Sequence, residues 1–163
     1  MVGTQPAGTV ARRTVADLPT FVVAPTRRAA DKVERGIGIS GGVRVSFFDA
    51  HTIWRQVDWD LIGGRLWRWI TIDYSYPDQA QTWRHGDAIS SVETHLWPDD
   101  TGKIVVHDRR TPRAEGCSVT QLSGRSSDRY WLERPTFGDW DALADPGPSA
   151  YEVAGFEQTA PAM

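Results

Sequence analysis

The sequence predicts a mainly β (all-β) domain: an eight-stranded antiparallel up-and-down barrel preceded by a short N-terminal helix. From residue 43 onward, short runs of β-branched and aromatic residues alternate with turn residues at the spacing of about 8–12 residues that is typical of all-β domains. Short links make consecutive strands antiparallel. Closing eight such strands removes both sheet edges and leaves room for one small ligand. A two-layer sandwich and a half-barrel around the helix are the alternatives.

The elements before and after the strands divide the chain into three parts. Residues 1–24 have little hydrophobic periodicity and are predicted to form a flexible arm or lid. Residues 25–140 form a single β domain, and its leading helix over "TRRAADKVERG" is capped by Thr26 and stopped by Gly36. Residues 141–163 are acidic and interrupted by Pro and Gly, which indicates a C-terminal strap and tail.

Eight strands are predicted between these flanks. Each run is rich in residues that favour strands and is bounded by turn residues. In chain order the runs are 43–48, 51–59, 65–76, 80–85, 88–97, 103–109, 117–123 and 129–134.

The Gly63-Gly64 pair predicts a two-residue hairpin turn, because glycine accepts the positive φ that such turns require. A regular register then pairs residue 58 with 69 and residue 54 with 73. One face of this predicted hairpin has the composition of a hydrophobic core. The other face mixes large aromatic rings with acids and amides, and it carries Trp54, Gln56, Asp58, Asp60, Trp67, Trp69, Thr71 and Asp73.

Three exposed indoles would leave several hundred Å² of apolar area in water at about 25 cal/mol per Å², so this face should be covered. One interpretation is a ligand wall, in which the rings give flat contact area and the polar groups orient the ligand. The other is burial under the remaining chain or a second subunit, with the acids paired to arginines.

A second cluster is predicted where the strand "AISSVETHLW" meets "KIVVHD". A five-residue loop places Glu93 opposite His107, with His95 on the same face, whereas a loop that differs by one residue places Asp108 beside Glu93 instead. Two imidazoles and a carboxylate suit a metal site or an acid–base pair. An ordinary surface cross-strand pairing explains the same residues.

Composition excludes several functions. The net charge of −3 provides no overall field for nucleic acid, and Asp58, Asp60 and Asp73 share the tryptophan face. The single cysteine, Cys117, excludes an internal disulfide and a Cys-cluster zinc site, and it fits a cytoplasmic location. No apolar run approaches the length of a membrane span, and no cofactor-binding motif occurs, so neither a membrane nor a cofactor is expected.

These patterns predict a barrel pocket for an apolar or aromatic small molecule, used for binding alone or for a cofactor-independent cyclisation or isomerisation. The alternative is a protein-interaction module, of the inhibitor or immunity type, that uses the tryptophan face as its interface. A self-associating structural homodimer is a third possibility. The candidate catalytic residues are Asp58, Asp73, His95 and Tyr130, and the candidate substrate-binding residues are Trp54, Gln56, Trp67, Trp69, Glu93 and Trp131.

Overall fold

The computed structural model describes most of the chain in eight stretches. They are residues 11–15, 18–25, 39–49, 52–78, 83–110, 116–125, 127–136 and 138–156. The predicted helix at residues 26–36 and the first ten residues of the predicted arm lie outside the described residues.

Eight described strands form one antiparallel sheet in which every strand pairs with its neighbour in the chain. In the described residues the sheet is open, with β1 and β8 at its two ends. The antiparallel, mainly β architecture is confirmed, and both a barrel and a half-barrel or sandwich fit it. The strands are β1 (Ala11–Val15), β2 (Leu18–Pro25), β3 (Ile39–Asp49), β4 (Thr52–Ile62), β5 (Arg65–Ser75), β6 (Ser90–Leu96), β7 (Thr101–Asp108) and β8 (Gly116–Ser123).

A ninth short strand shares one edge of β5 with β6. The strand β9 (Trp131–Glu133) pairs with residues 65–67 of β5, whereas β6 pairs with residues 70–75. Two neighbours therefore divide the length of β5, and β6 separates from β5 beyond His95.

Three parts of the predicted strand pattern differ from the structure. The strand predicted over 129–134 is shorter, because Asp128–Tyr130 form a 3-10 turn and β9 begins at Trp131. Residues 11–15 and 18–25, assigned to the flexible arm, form β1 and β2, because "FVVAP" has strand-forming residues and Phe21 and Val23 are buried on β3. No strand is described within 80–85. Residues 83 and 84 lie outside any strand, and His85–Asp87 form a 3-10 turn.

The β4–β5 hairpin turns at the predicted glycines but contains a bulge that the sequence analysis missed. Both glycines have positive φ, 56° and 85°, and Asp60 pairs with Trp67 as expected. Beyond that pair, Asp58 lies opposite Ile70, which leaves Trp69 as an extra residue in β5. The predicted pairings of residue 58 with 69 and residue 54 with 73 are therefore wrong. Because one inserted residue reverses the alternation, Asp58 and Asp73 lie on opposite faces of the sheet.

The C-terminal segment, residues 138–156, covers one face of the sheet. It contains a short helix, α1 (Ala150–Ala154), capped by reciprocal hydrogen bonds between Ser149 and Glu152. Leu143 is fully buried and Trp140 packs beside it. Among the described helices, none is long and apolar enough to cross a membrane. The apolar cluster under this segment contains Phe21, Val23, Val45, Phe47, Val57, Trp59, Leu66 and Leu143.

Buried polar groups fix this segment to the sheet. Asp73 accepts a hydrogen bond from the Ala150 N–H and forms an ion pair with Arg55. The Arg55 guanidinium also donates to the Gly147 carbonyl. The Thr94 hydroxyl donates to the carbonyl of Ala150. Asp73, a predicted catalytic acid, has both carboxylate oxygens occupied in holding the C-terminal segment.

We expect Asp73→Asn to destabilise the protein, because it leaves the buried Arg55 guanidinium without its carboxylate. Losing one partner of a buried pair costs about 3–5 kcal/mol, and the partial exposure of Asp73 places the expected loss near the lower end, about 3 kcal/mol. Urea unfolding of the variant and the wild type measures this loss in the free energy of unfolding. Asp108→Asn is the matched control, since Asp108 pairs with Arg110 at the surface and its loss should leave the unfolding midpoint unchanged. Equal midpoints for both variants would contradict the anchoring role.

Candidate functional site

The face of the sheet opposite the C-terminal segment carries many polar side chains and is here called the polar face. Strand pairing places its residues on one face from β3 to β7. Ile70 and Ile72 of β5 share this face and lie between the polar residues of β4 and those of β6. The polar face includes Arg44, Ser46, Gln56, Asp58, Tyr74, Ser91, Glu93, His95 and His107.

A fork-shaped ion pair lies at the β3–β4 end of the polar face. The Nε and Nη2 groups of Arg44 each donate to one oxygen of Asp58, both at 2.7 Å. The hydrogen bond from Asp58 is the largest cause of a raised pKa at Arg44, against the opposing effect of burial. Both oxygens of the buried Asp58 accept from Arg44, so the geometry gives this predicted catalytic residue the role of a fixed counter-ion.

Gln56 connects two hydroxyl groups beside this pair. Its Oε1 accepts from the Tyr74 hydroxyl at 2.7 Å, and its Nε2 donates to the Ser46 hydroxyl at 2.9 Å. Burial, followed by the negative charge of Glu93, raises the pKa of Tyr74 well above its ordinary value. The Tyr74 hydroxyl therefore stays protonated and orients the Gln56 amide.

Glu93 lies between two imidazoles. Its Oε2 is 3.2 Å from Nε2 of His95, and its Oε1 is 3.7 Å from Nε2 of His107. The His95 hydrogen bond lowers the pKa of Glu93, and burial opposes the shift. The predicted pairing of Glu93 with His107 is wrong by two residues, because Glu93 pairs with Val105 and His107 with Ser91. A register shift of two residues keeps each side chain on the same face of the sheet, so Glu93, His95 and His107 still lie close together.

Two indoles hold the His95 ring. The Trp69 ring lies perpendicular to it at a centroid distance of 5.6 Å, and the Trp97 ring stacks on it at 6.4 Å. The two indoles are 6.2 Å apart. Packing of this kind restricts the imidazole orientation and keeps its Nε2 directed at Glu93. Trp69 thus reaches the polar face from its position in the bulge.

An open cleft of about 190 Å³ lies next to this cluster, between β6, β7 and the 3-10 turn. Glu93 supplies an acceptor, His107 a titratable ring, and Arg109 and two serines supply donors. In the described part of the chain, no three His, Cys, Asp or Glu side chains are placed to hold a metal ion. The acid–base interpretation and the simple cross-strand pair are the alternatives that fit this geometry. The polar lining consists of Tyr74, Ser90, Ser91, Glu93, His107 and Arg109.

The structure separates the ten predicted site residues into two sets. Five of them share the polar face or its margin: Gln56, Asp58, Trp69, Glu93 and His95. The other five lie elsewhere: Trp54, Trp67, Asp73, Tyr130 and Trp131.

The predicted substrate-binding residues Trp54, Trp67 and Trp131 do not line the cleft beside Glu93. Trp54 packs against Phe47 at a centroid distance of 6.0 Å. Trp67 is buried, and its indole N–H donates to the Leu96 carbonyl at 2.9 Å. Trp131 lies 5.0 Å from Trp67 across the β5–β9 pairing. Tyr130 contacts Trp67 edge to face at 6.1 Å.

Several residues of the site were not among the ten predicted ones, and Arg44, Tyr74, Trp97 and Arg109 are the largest of them beside His107. Arg44 and Tyr74 belong to the site through long-range strand pairing, which no local motif indicates. The parity of "AISSVETHLW" did place Trp97 with Glu93 and His95, and that signal was available. Arg109 follows directly after β7, where no sequence pattern indicates that a residue belongs to the site.

Comparison with known proteins gives no matching family model, no similar curated protein and no similar solved structure. The site is therefore interpreted from its own geometry.

The lowered pKa of Glu93 predicts a specific acid dependence of stability. A depressed pKa in the folded state stabilises the fold above the ordinary value of 4.5, and this contribution disappears as the pH falls through the folded value. We expect Glu93→Gln to lower the free energy of unfolding most at pH 7, with a difference from the wild type that shrinks below pH 4.5. Urea unfolding at pH 7 and pH 3 measures the free energy of unfolding of both proteins. A difference between wild type and Glu93→Gln that is the same at both pH values would contradict the lowered pKa of Glu93. His95→Gln, which removes the largest cause of the shift, should reduce the same pH dependence.

Proposed function

We propose that the cleft beside Glu93 binds a small carbonyl compound and catalyses a cofactor-independent isomerisation by moving a proton on it. The observation that carries this proposal is the position of Glu93, whose carboxylate faces two imidazoles at the wall of an open cleft. A carboxylate beside an imidazole orients the ring and stabilises the imidazolium that forms when the ring accepts a proton.

His107 is the proton carrier in this scheme. Its side chain is 38% exposed and lines the cleft, so a bound molecule can reach the ring. The hydrogen bond with His95 lowers the pKa of Glu93, so the carboxylate is charged at neutral pH, and its Oε1 faces Nε2 of His107 at 3.7 Å and can orient that ring. His95, a predicted catalytic residue, acts here as a positioning residue that holds Glu93 from the side of the indoles.

The dimensions and donors of the cleft select the substrate class. Its volume of about 190 Å³ lies below the range of about 300–1,000 Å³ that is usual for drug-sized ligands, so the substrate has few heavy atoms. Arg109 and Ser91 can donate to a carbonyl oxygen on which negative charge develops. The base removes a proton from a carbon beside that carbonyl and returns it to another carbon. The step is redox-neutral and needs no cofactor.

The sequence analysis also left a cyclisation open. A cyclisation depends on enclosing a substrate in a folded conformation, and this depends on walls around most of its surface. The cleft is open and small, which favours isomerisation. A cytoplasmic location belongs to the proposal, and the exposed thiol of Cys117 supports it, since such a group persists in reducing compartments.

The alternative function, a protein-interaction module, rests on an exposed tryptophan face. All eight tryptophans lie in the described residues, and each is buried or partly buried. The large hydrophobic side chains exposed in the described stretches are Val119 and Phe156. These observations favour the small-molecule function. Light scattering, which measures the mass of the protein in solution, detects a homodimer.

We expect the protein to convert cyclohex-3-enone to cyclohex-2-enone, a conversion followed by the ultraviolet absorbance of the conjugated product. His107→Gln should lower kcat by about 100-fold or more, the range of general acid–base catalysis. Glu93→Gln should lower kcat by about tenfold with little change in KM, because it affects the orientation and charge of the ring rather than binding.

Glu133→Gln is the matched control, since Glu133 is an exposed residue that pairs with Arg65 on β5. It should retain the wild-type rate. A rate with the wild-type protein no higher than in buffer, or equal rates for the three variants, would contradict the proposed function. Absence of activity together with a stable dimer in light scattering would favour the interaction module.

A further inference from the structure

A second cavity, of about 270 Å³, lies on the other side of the sheet, between β5 and the C-terminal segment. Its buried wall is formed by Trp59, Arg68 and Tyr130. Arg129 and Asp145 are exposed and mark its opening to solvent. The cavity belongs to neither the polar face nor the cleft beside Glu93.

Arg68 contributes a buried positive charge, and no carboxylate of the described residues forms an ion pair with it. Its Nε donates to the Thr71 hydroxyl at 3.0 Å, and its Nη2 donates to the carbonyls of Pro146 and Pro148. No hydrogen bond joins its Nη1 to a described residue. Nη1 lies against Gly147 in the cavity wall, where a Cβ would approach it to 2.3 Å.

The neighbouring acids are already engaged. Asp73 pairs with Arg55, and a carboxylate oxygen of Asp145 accepts from the Gly147 N–H. Burial and then the charge of Arg55 lower the pKa of Arg68 to about 10, which still leaves the guanidinium protonated at neutral pH. The cavity wall therefore carries a cation with unused donor capacity.

Tyr130 supplies a second unused donor. Only 3% of this residue is exposed, and its hydroxyl oxygen accepts a hydrogen bond from Nη2 of Arg129 at 2.6 Å. The hydroxyl proton must be directed to another acceptor, and none of the described residues provides one. The Tyr130 hydroxyl, in the wall of the cavity, can therefore donate to an acceptor that enters it.

We propose that this cavity binds a small aromatic monocarboxylate, with its carboxylate held by the Tyr130 hydroxyl and the guanidiniums of Arg68 and Arg129. A planar carboxylate matches the donor fork of an arginine, and the indole of Trp59 offers a flat wall for the ring. Asp145 at the opening disfavours a more highly charged anion such as phosphate. The proposal is independent of the isomerase function, because the two cavities lie on opposite faces of the sheet.

Isothermal titration calorimetry with benzoate, benzamide and inorganic phosphate tests this site. The wild-type protein should bind benzoate at least tenfold more tightly than either of the other two probes. Tyr130→Phe, which keeps the ring and removes the hydroxyl, should weaken benzoate binding about tenfold, as should Arg129→Gln. Arg110→Gln, at an exposed arginine paired with Asp108, is the matched control and should keep the wild-type affinity. Glu93→Gln should also keep it, which separates this test from that of the isomerase.

Amide NMR shifts locate the bound probe. Benzoate should move the Gly147 and Tyr130 signals in the wild type and should move them less in Tyr130→Phe at the same concentration. The unfolding midpoints of the variants show that each is folded. No saturable benzoate binding, equal affinity for benzamide, tighter binding of phosphate, or unchanged affinity in both cavity variants would overturn the proposal.

Discussion

The β-bulge at Trp69 is the constraint on which the rest of the structure depends. A regular hairpin would place Asp58 and Asp73 on one face with three tryptophans. The inserted residue instead sends Asp73 toward the C-terminal segment, where it pairs with Arg55 and receives the Ala150 N–H. It also leaves Trp69 beside His95, so one local irregularity both anchors the C-terminal segment and restricts an imidazole of the candidate site.

The two faces of the sheet use charge in different ways. On the polar face, two acids meet basic partners: Arg44 pairs with Asp58, and Glu93 lies between His95 and His107. Under the C-terminal segment, the partners of Arg68 among the described residues are a hydroxyl and backbone carbonyls. A paired acid beside an open cleft suits proton transfer, whereas a buried cation with unused donors suits the binding of an anion. The two proposed sites would thus have complementary chemistry.

The sequence predicted the parts of the structure that depend on local pattern. Strand alternation identified Glu93 and His95 as neighbours on one face, and Gly63-Gly64 identified the hairpin turn. The bulge was not predictable, because Trp69 is a good strand former and carries none of the glycine signals that mark some bulges. Tyr130 was chosen for its hydroxyl, but its surroundings depend on Arg68 and Arg129, which only the folding of the C-terminal segment over β5 brings together.

If the cleft beside Glu93 binds a carbonyl compound, the His107 ring should respond to that compound, whereas an ordinary cross-strand pair should not. The most direct measurement is the 15N NMR spectrum of the histidine rings during titration with cyclohex-2-enone, with His107→Gln used to assign the signal. We expect a saturable shift of the His107 ring nitrogens that is smaller in Glu93→Gln, since the Glu93 carboxylate faces and orients that ring. A His107 signal that does not respond to cyclohex-2-enone would contradict the proposed function.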